Sequence, residues 1–496
     1  MESAGLRRRQ REQDAKPPAN PARRNPGSPP THPPAQTGNK RTLPSQFPST
    51  QRNNALPNSL TTGYTPPLFI INLSLPPSHR YTHVAAALKP ALASTNFEAL
   101  FAEAIALVLP AATATPSHGL LNITALTTRS IRLLSRLLLR RMYSDEETAE
   151  LRGISLATGL GMDLLVAFNV ALDLLMGCTS GGVRLQESAA PGGGSRMVHF
   201  RTLDWDMDEL RRLVVELEFV RVAGGPVVAR TVGYFGYVGV LTGVREGLSV
   251  SLNFRVGGRG ERDWWRRWAL RWHLGMVLLG KRRGVSSVLR GYLLGDGGLG
   301  VRRGWWPWSA KGRRYVELDG DDPGLPDVDL ILADLACSPS TAAYLVFCTP
   351  SEVYSVEKGY RTASSQRSGE FLTTCNHDVA DEPDPGRIHA ATQKVASPGM
   401  ADIIDESFER KQAVEHVWKQ RLRLRRKAHR HRREQVEGVN LEDVLHLLGH
   451  EYITYGGTHY AVIMDPEEGE IMWRRAYRTE DLRVEDENEA EAEDSF

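Results

Sequence analysis

The chain has 496 residues, with 61 Lys and Arg against 59 Asp and Glu for a net charge of +2, and with 41% apolar and 24% charged residues. That balance excludes a protein whose whole surface attracts nucleic acid, and the length allows two or three ordinary domains. Four cysteines in this length exclude a disulfide scaffold but leave room for one reactive thiol.

Residues 1–67 hold 13 of the 29 prolines and few large apolar side chains. Such a segment buries too little apolar surface to offset its ordering entropy, so residues 1–65 read as a disordered Pro-rich extension. No apolar run of the secretory-signal kind is visible there, which favours an intracellular protein and otherwise leaves the compartment unknown.

Helical spacing of apolar residues follows from Asn96 to Leu109 and from Arg129 to Met142. Ser144 with Glu147 three residues on is a capping-box signature for a helix starting near Asp145. The apolar run Leu160–Met176 contains Asp163, Asn169 and Asp173, which are costly in hydrocarbon, so it reads as a buried helix rather than a membrane span. Residues 66–177 are therefore expected to be a helical segment.

Past Cys178 the texture turns to strands. Cys178–Leu185 and Met197–Leu203, joined through the glycine-rich Pro191–Ser195, predict a hairpin. Leu213–Val222 and Val227–Val232 predict a second one around Gly224–Gly225. Tyr234–Leu241, Leu248–Phe254, Ala342–Phe347 and Tyr460–Met464 continue the pattern. Trp264–Leu279 reads as a helix whose Trp264, Trp265, Trp268 and Trp272 are expected to pack into the core. The alternative is contact with a membrane surface, with Arg266, Arg267 and Arg271 at headgroups. Trp305, Trp306 and Trp308 carry the same pair of readings.

Lys419–Arg433 places nine Lys/Arg in fifteen residues and reads as a solvated helix extension or an inserted loop; no nucleic acid is expected. Glu480–Asp494 holds nine acidic residues within a disordered tail, residues 479–496. Cys337, Cys348 and Cys375 lack metal-ligand spacing and His429/His431 have no cysteine nearby, so neither metal nor cofactor is expected.

Cys178 stands where the helical half meets the β half, in Met-Gly-Cys-Thr-Ser-Gly-Gly. Free cysteines are usually buried and inert. Here a small residue precedes it, and the expected hairpin returns Arg201 and Asp204 to the start of the first strand. An arginine and a carboxylate beside a cysteine are the setting that activates a thiol.

These residues carry a resemblance. Pro66-Pro67-Leu68-Phe69, Asn72-Leu73-Ser74, Cys178-Thr179-Ser180, Arg201-Thr202-Leu203-Asp204-Trp205 and Gly236-Tyr237-Val238-Gly239 with Thr242-Gly243 stand in one order with Thr374-Cys375-Asn376-His377-Asp378 and Thr458-His459-Tyr460-Ala461-Val462-Ile463-Met464. The chain resembles the acid ceramidase / N-acylethanolamine acid amidase family of N-terminal nucleophile hydrolases, and more distantly bile-salt hydrolases and penicillin V acylases. The resemblance runs from about Pro66 to Arg478.

It implies an α+β fold, the αββα sandwich of that superfamily, with a helical α-subunit segment at 66–177 and a β-subunit segment at 178–478 carrying a basic insertion at about 419–433. It implies self-cleavage between Gly177 and Cys178, the two fragments remaining together as a heterodimer, and hydrolysis of the amide of ceramide or another N-acyl lipid through an acyl-enzyme. Cys178 matches the nucleophile, Arg201 the arginine beside it, and Asp204 the carboxylate that orients the new α-amine. Asn253 and Asn376 match oxyanion donors and Arg410 a late structural arginine. The family's compartment is lysosomal or secreted. The chain departs at Phe254, where the animal acid amidases carry a glutamate. A non-catalytic lipid-binding relative is therefore the alternative, and bile-salt-like or β-lactam amides are other candidate substrates.

Overall fold

The computed structural model describes residues 58–95, 135–171, 177–186, 194–205, 207–255, 264–295, 325–384, 386–387, 398–432 and 439–482. In chain order the strands are β1 (Leu68–Asn72), β2 (Gly177–Gln186), β3 (Ser195–Asp204), β4 (Val214–Val220), β5 (Val227–Tyr234), β6 (Thr242–Arg245) and β7 (Leu248–Phe254). They continue as β8 (Ala343–Cys348), β9 (Val353–Lys358), β10 (Ala363–Ser368), β11 (Phe371–Thr374), β12 (Thr458–Asp465) and β13 (Glu470–Ala476). Besides a single turn at Asn58–Thr61, which falls within the extension expected to be disordered (its residues 1–57 lie outside the described ones), the helices are α1 (Thr82–Ser94), α2 (Asp145–Thr158), α3 (Met162–Ala171), α4 (Trp264–Leu278), α5 (Val285–Leu294), α6 (Val328–Cys337), α7 (Pro398–Arg432) and α8 (Leu441–Leu448).

The strands form an eight-stranded sheet, β1-β4-β5-β6-β7-β8-β9-β10, and a five-stranded sheet, β11-β2-β3-β12-β13. Every neighbouring pair is antiparallel except β1 with β4, which is parallel. Alternation along β7 shows how the sheets stack. Ser249 and Ser251 bond the two ring nitrogens of His199 on β3, and Asn253 bonds Ser180 on β2, so these residues face the other sheet. Leu248, Val250, Leu252 and Phe254 alternate with them and join the core that also holds Leu289 and Leu293 of α5. On the outside of the five-stranded sheet, Val414, Val417 and Trp418 of α7 and Val444, Leu447 and Leu448 of α8 pack on Val183, Val198, Phe200 and Ile463. The layers run helix, sheet, sheet, helix: the αββα sandwich.

Strand β2 is squeezed between these layers, and Gly181–Gly182 permit it. A Cβ on Gly181 would meet the Leu372 carbonyl oxygen at 2.3 Å, and one on Gly182 the Val353 side chain at 2.6 Å.

Several expectations change. Tyr234–Leu241 is not a strand: the chain leaves β5 at Tyr234, turns at Gly236 with φ +88°, and pairs again only from Thr242. Its apolar residues are buried in a loop whose backbone is paired by a side chain, Asn169 donating to Gly236 O and accepting from Val238 N, both at 2.8 Å. The 66–177 segment is not purely helical, because β1 lies in it. Of the helix expected over Arg129–Met142, residues 129–134 lie outside the described residues, 135–138 are helical, and the helix has ended by 139, ahead of the cap of α2. There Ser144 Oγ accepts from Glu147 N, but the Glu147 carboxylate turns inward to Ser287, so half of the expected capping box forms.

Trp268 and Trp272 are not core residues. They are 60% and 52% exposed and stack on each other with centroids 5.8 Å apart. The basic stretch at 419–432 continues α7 as helix. The helix expected at Asn96–Leu109, Trp305, Trp306, Trp308 and residues 483–496 of the tail lie outside the described residues. Among the described residues no helix is long and apolar enough to cross a membrane.

Candidate active site

Cys178 is the second residue of β2 and is fully buried. It shares the inner face of the sheet with Ser180, and Arg201 on β3 points into the same space. Arg201 Nη2 donates to Cys178 Sγ at 3.1 Å and to Leu252 O at 2.6 Å, while Nη1 donates to Thr242 Oγ1 at 2.6 Å and to Leu241 O. The thiol itself faces Leu252 O at 3.7 Å. Among the described residues no carboxylate is a hydrogen-bond partner of this buried guanidinium. Burial disfavours its charge, and the Cys178 sulfur is the foremost of the groups that favour it. Burial pushes the Cys178 thiol up, with Arg201 the main opposing influence.

Asp204 belongs to the other face. The register pairs Cys178 with Leu203 and Gly177 with Asp204, and residues 201 and 204 point to opposite sides of β3. The expectation that arginine and carboxylate both flank the thiol is therefore corrected: Asp204 faces α7. Its Oδ2 accepts from Arg410 Nη1 at 2.9 Å and its Oδ1 from Thr458 Oγ1 at 2.8 Å. Burial raises its carboxyl to about 6, against the pull of Arg410.

From Arg410 the network reaches the amide between residues 177 and 178. Arg410 Nη2 donates to Asn376 Oδ1 at 3.0 Å, and the same oxygen accepts from Cys178 N at 2.9 Å. Asn376 Nδ2 donates to Phe254 O at 2.9 Å, and Asn376 N donates to Ser407 Oγ of α7 at 2.6 Å. Asn376 thus meets the cysteine through its nitrogen. Asn253 does not meet it: its Nδ2 donates to Thr374 O at 3.1 Å and its Oδ1 accepts from Ser180 Oγ at 2.8 Å, tying β7 to β2 and β11.

Of the six residues singled out from sequence, Cys178, Arg201, Asp204, Asn376 and Arg410 are joined by direct hydrogen bonds and Asn253 stands apart. Thr242, Ser407 and Thr458 complete the network. All three lie in runs already visible in the sequence, but only long-range packing gives them partners. Among the described residues no group of three or more His, Cys, Asp or Glu side chains is placed to hold a metal ion.

Comparison with known proteins points to the same family as the motifs. The family model for the beta subunit of N-acylethanolamine-hydrolyzing acid amidase matches residues 64–116. That stretch lies upstream of Cys178, in the segment termed the α subunit above. A Caenorhabditis elegans N-acylethanolamine-hydrolyzing acid amidase is 35% identical over 129 residues, 24% of this chain and 34% of that protein. Acid ceramidases of Rattus norvegicus and Mus musculus are 31% and 33% identical over 126 and 120 residues, each 22% of this chain and 30% of the relative. The matches span about a third of the length of these curated relatives. A solved structure titled as a Caenorhabditis elegans N-acylethanolamine-hydrolyzing acid amidase ortholog aligns with 58% of this chain and 93% of its own at 16% identity and a TM-score of 0.35. In sequence, the chain resembles the acid ceramidase / N-acylethanolamine acid amidase family.

Proposed function

We propose that the chain is a self-processing cysteine amidase acting on ceramide or a related N-acyl lipid. The observation that carries this reading is a buried guanidinium that donates, at 3.1 Å, to the thiol of the second residue of β2. In the first step Cys178 Sγ attacks the Gly177 carbonyl carbon. The C–N bond breaks, the nitrogen takes up a proton, and water hydrolyses the resulting thioester to leave a fragment ending at Gly177 and a new α-amine on Cys178. Asn376 Oδ1, held by Arg410 and through it by Asp204, orients that nitrogen. The freed amine, with a reference pKa near 8, then acts as base for its own thiol. The thiolate attacks the lipid amide, the amine leaves with a proton, and water releases the fatty acid.

In this reading the segments 66–177 and 178–478 belong to the two fragments and stay together. β1 is a strand of the larger sheet, and Glu150 of α2 binds Arg290 of α5 through both carboxylate oxygens. The competing reading, a non-catalytic lipid-binding relative, rests on Phe254 and on the engagement of Asn253 away from the thiol.

Intact mass and N-terminal sequencing after incubation at acidic and neutral pH, with a lipid-amide hydrolysis assay, decide between them. The expected result is a fragment beginning at Cys178 together with amide hydrolysis, both abolished in Cys178→Ala. A Cys178→Ala chain that still cuts at this bond overturns the mechanism. A wild-type chain that neither cuts nor hydrolyses under either condition supports the competing reading.

A further inference from the structure

We propose that Thr242 and Tyr460 are positioning residues that hold the Arg201 guanidinium against the Cys178 sulfur; the inference rests on reading Cys178 as the nucleophile. Both residues are fully buried. Thr242 Oγ1 accepts from Arg201 Nη1 at 2.6 Å and lies 2.8 Å from Tyr460 Oη, which lies 3.2 Å from Val232 O. The direction of every hydrogen in this row follows from its ends. The guanidinium can only donate and the Val232 carbonyl can only accept. Tyr460 therefore gives its hydrogen to Val232 O, and Thr242 gives its own to Tyr460 Oη. The Thr242 oxygen is left presenting a lone pair to Arg201. Burial pushes Tyr460 up to about 12, so its hydroxyl keeps its hydrogen at any working pH.

Without the tyrosine hydroxyl, the Thr242 hydrogen is free to swing toward the guanidinium, where it repels. The remaining anchors of Arg201, Leu241 O and Leu252 O, are backbone groups that no side-chain change removes. The charged groups that act on the thiol besides Arg201 are Asp204 and Arg410, and neither touches this row.

The experiment measures the iodoacetamide alkylation rate of Cys178 in the full chain across pH by peptide mass spectrometry, with the buried Cys375 of the same molecule as internal reference. Tyr460→Phe and Thr242→Val are each expected to slow Cys178 relative to Cys375 about tenfold at a fixed pH, a shift of about one pH unit in the profile. Thr242→Ser, which keeps the hydroxyl, is expected to retain the wild-type ratio. General loosening of the fold acts in the opposite direction, speeding both cysteines together. An unchanged ratio in both Tyr460→Phe and Thr242→Val overturns the inference, as does a rise of Cys178 in step with Cys375. Should Tyr460→Phe fail to fold, the near-isosteric Thr242→Val and Thr242→Ser pair decides alone. A wild type that does not process or hydrolyse while the ratio still falls refutes the proposed function and leaves the positioning role standing. Processing with an unmoved ratio does the reverse.

Discussion

Glu147 offers the sharpest test of the energetics, because its site opposes its charge. It lies in the first turn of α2, buried; one carboxylate oxygen accepts from Ser287 Oγ at 3.0 Å and the other has no hydrogen-bond partner. Arg290, the cation that acts most strongly on it, is bound by both oxygens of Glu150. Burial therefore lifts the Glu147 carboxyl from 4.5 to about 7 against the pull of Arg290. The native state binds a proton more tightly than the unfolded chain, so stability is full below pH 4.5 and is lost as pH rises through about 7. At about 1.4 kcal/mol per pH unit the interval amounts to about 3 kcal/mol. The perturbation is Glu147→Gln in the Cys178→Ala background, which lacks the nucleophile of the proposed self-cleavage, followed by urea denaturation across that pH range. The glutamine chain is expected to gain about 3 kcal/mol less than its parent as pH falls from 7 to 4.5, and to be the more stable of the two above pH 7 by a similar amount. Asp204, raised to about 6 by burial, adds its own acid-side stability to both chains and cancels in the difference. Parallel pH profiles for the two chains would refute the reasoning.

Two further substitutions test the packing and the buried ion pair. A Cβ on Gly153 of α2 would stand 1.9 Å from the Ser78 carbonyl oxygen, so Gly153→Ala is expected to cost about 1–3 kcal/mol in thermal denaturation, and a wild-type midpoint contradicts that contact. Arg410→Met leaves the buried Asp204 without its cation and is expected to cost about 3–5 kcal/mol in urea denaturation of the Cys178→Ala chain; a loss below about 1 kcal/mol means the pair does not hold the site.

Much of this site could be read in advance because hairpins are local. The β2–β3 pair and its glycines set Arg201 against Cys178 within twenty-three residues. The face of Asp204 was equally legible, since two strand residues three apart point to opposite sides, yet proximity in sequence suggested that both flank the thiol. The partners of Asp204 and Asn376 were not legible: Arg410 and Ser407 arrive on α7, whose placement depends on apolar packing of Val414 and Trp418 across the smaller sheet. The loop at 235–241 misled for another reason. Buried apolar runs resemble strands, and here Asn169, nearly seventy residues upstream, together with Leu213 O, Ser286 O and Arg290, supplies hydrogen bonds that a strand would have taken from a neighbour. β10, with the sequence Ala-Ser-Ser-Gln-Arg-Ser, is a largely exposed edge strand without an apolar face to signal it.

The departure at Phe254 gains a physical meaning from this geometry. Asn253 turns to the space between the sheets and Phe254 alternates away from it, into the core beneath the helices. Position 254 reaches the site through its backbone carbonyl, which accepts from Asn376 Nδ2, and any residue supplies that carbonyl. The Asn376 carboxamide is the group that joins the two faces: its oxygen receives Arg410 and the amide nitrogen of Cys178, and its nitrogen is fixed to β7. On one side of β2 lie the thiol and the Arg201 guanidinium that donates to it, on the other a carboxylate raised by burial and its own guanidinium. The two meet at the peptide bond between Gly177 and Cys178. A side chain lost at 254 takes no member from that network, so the argument against catalysis that starts from Phe254 has to rest on something other than the integrity of the site.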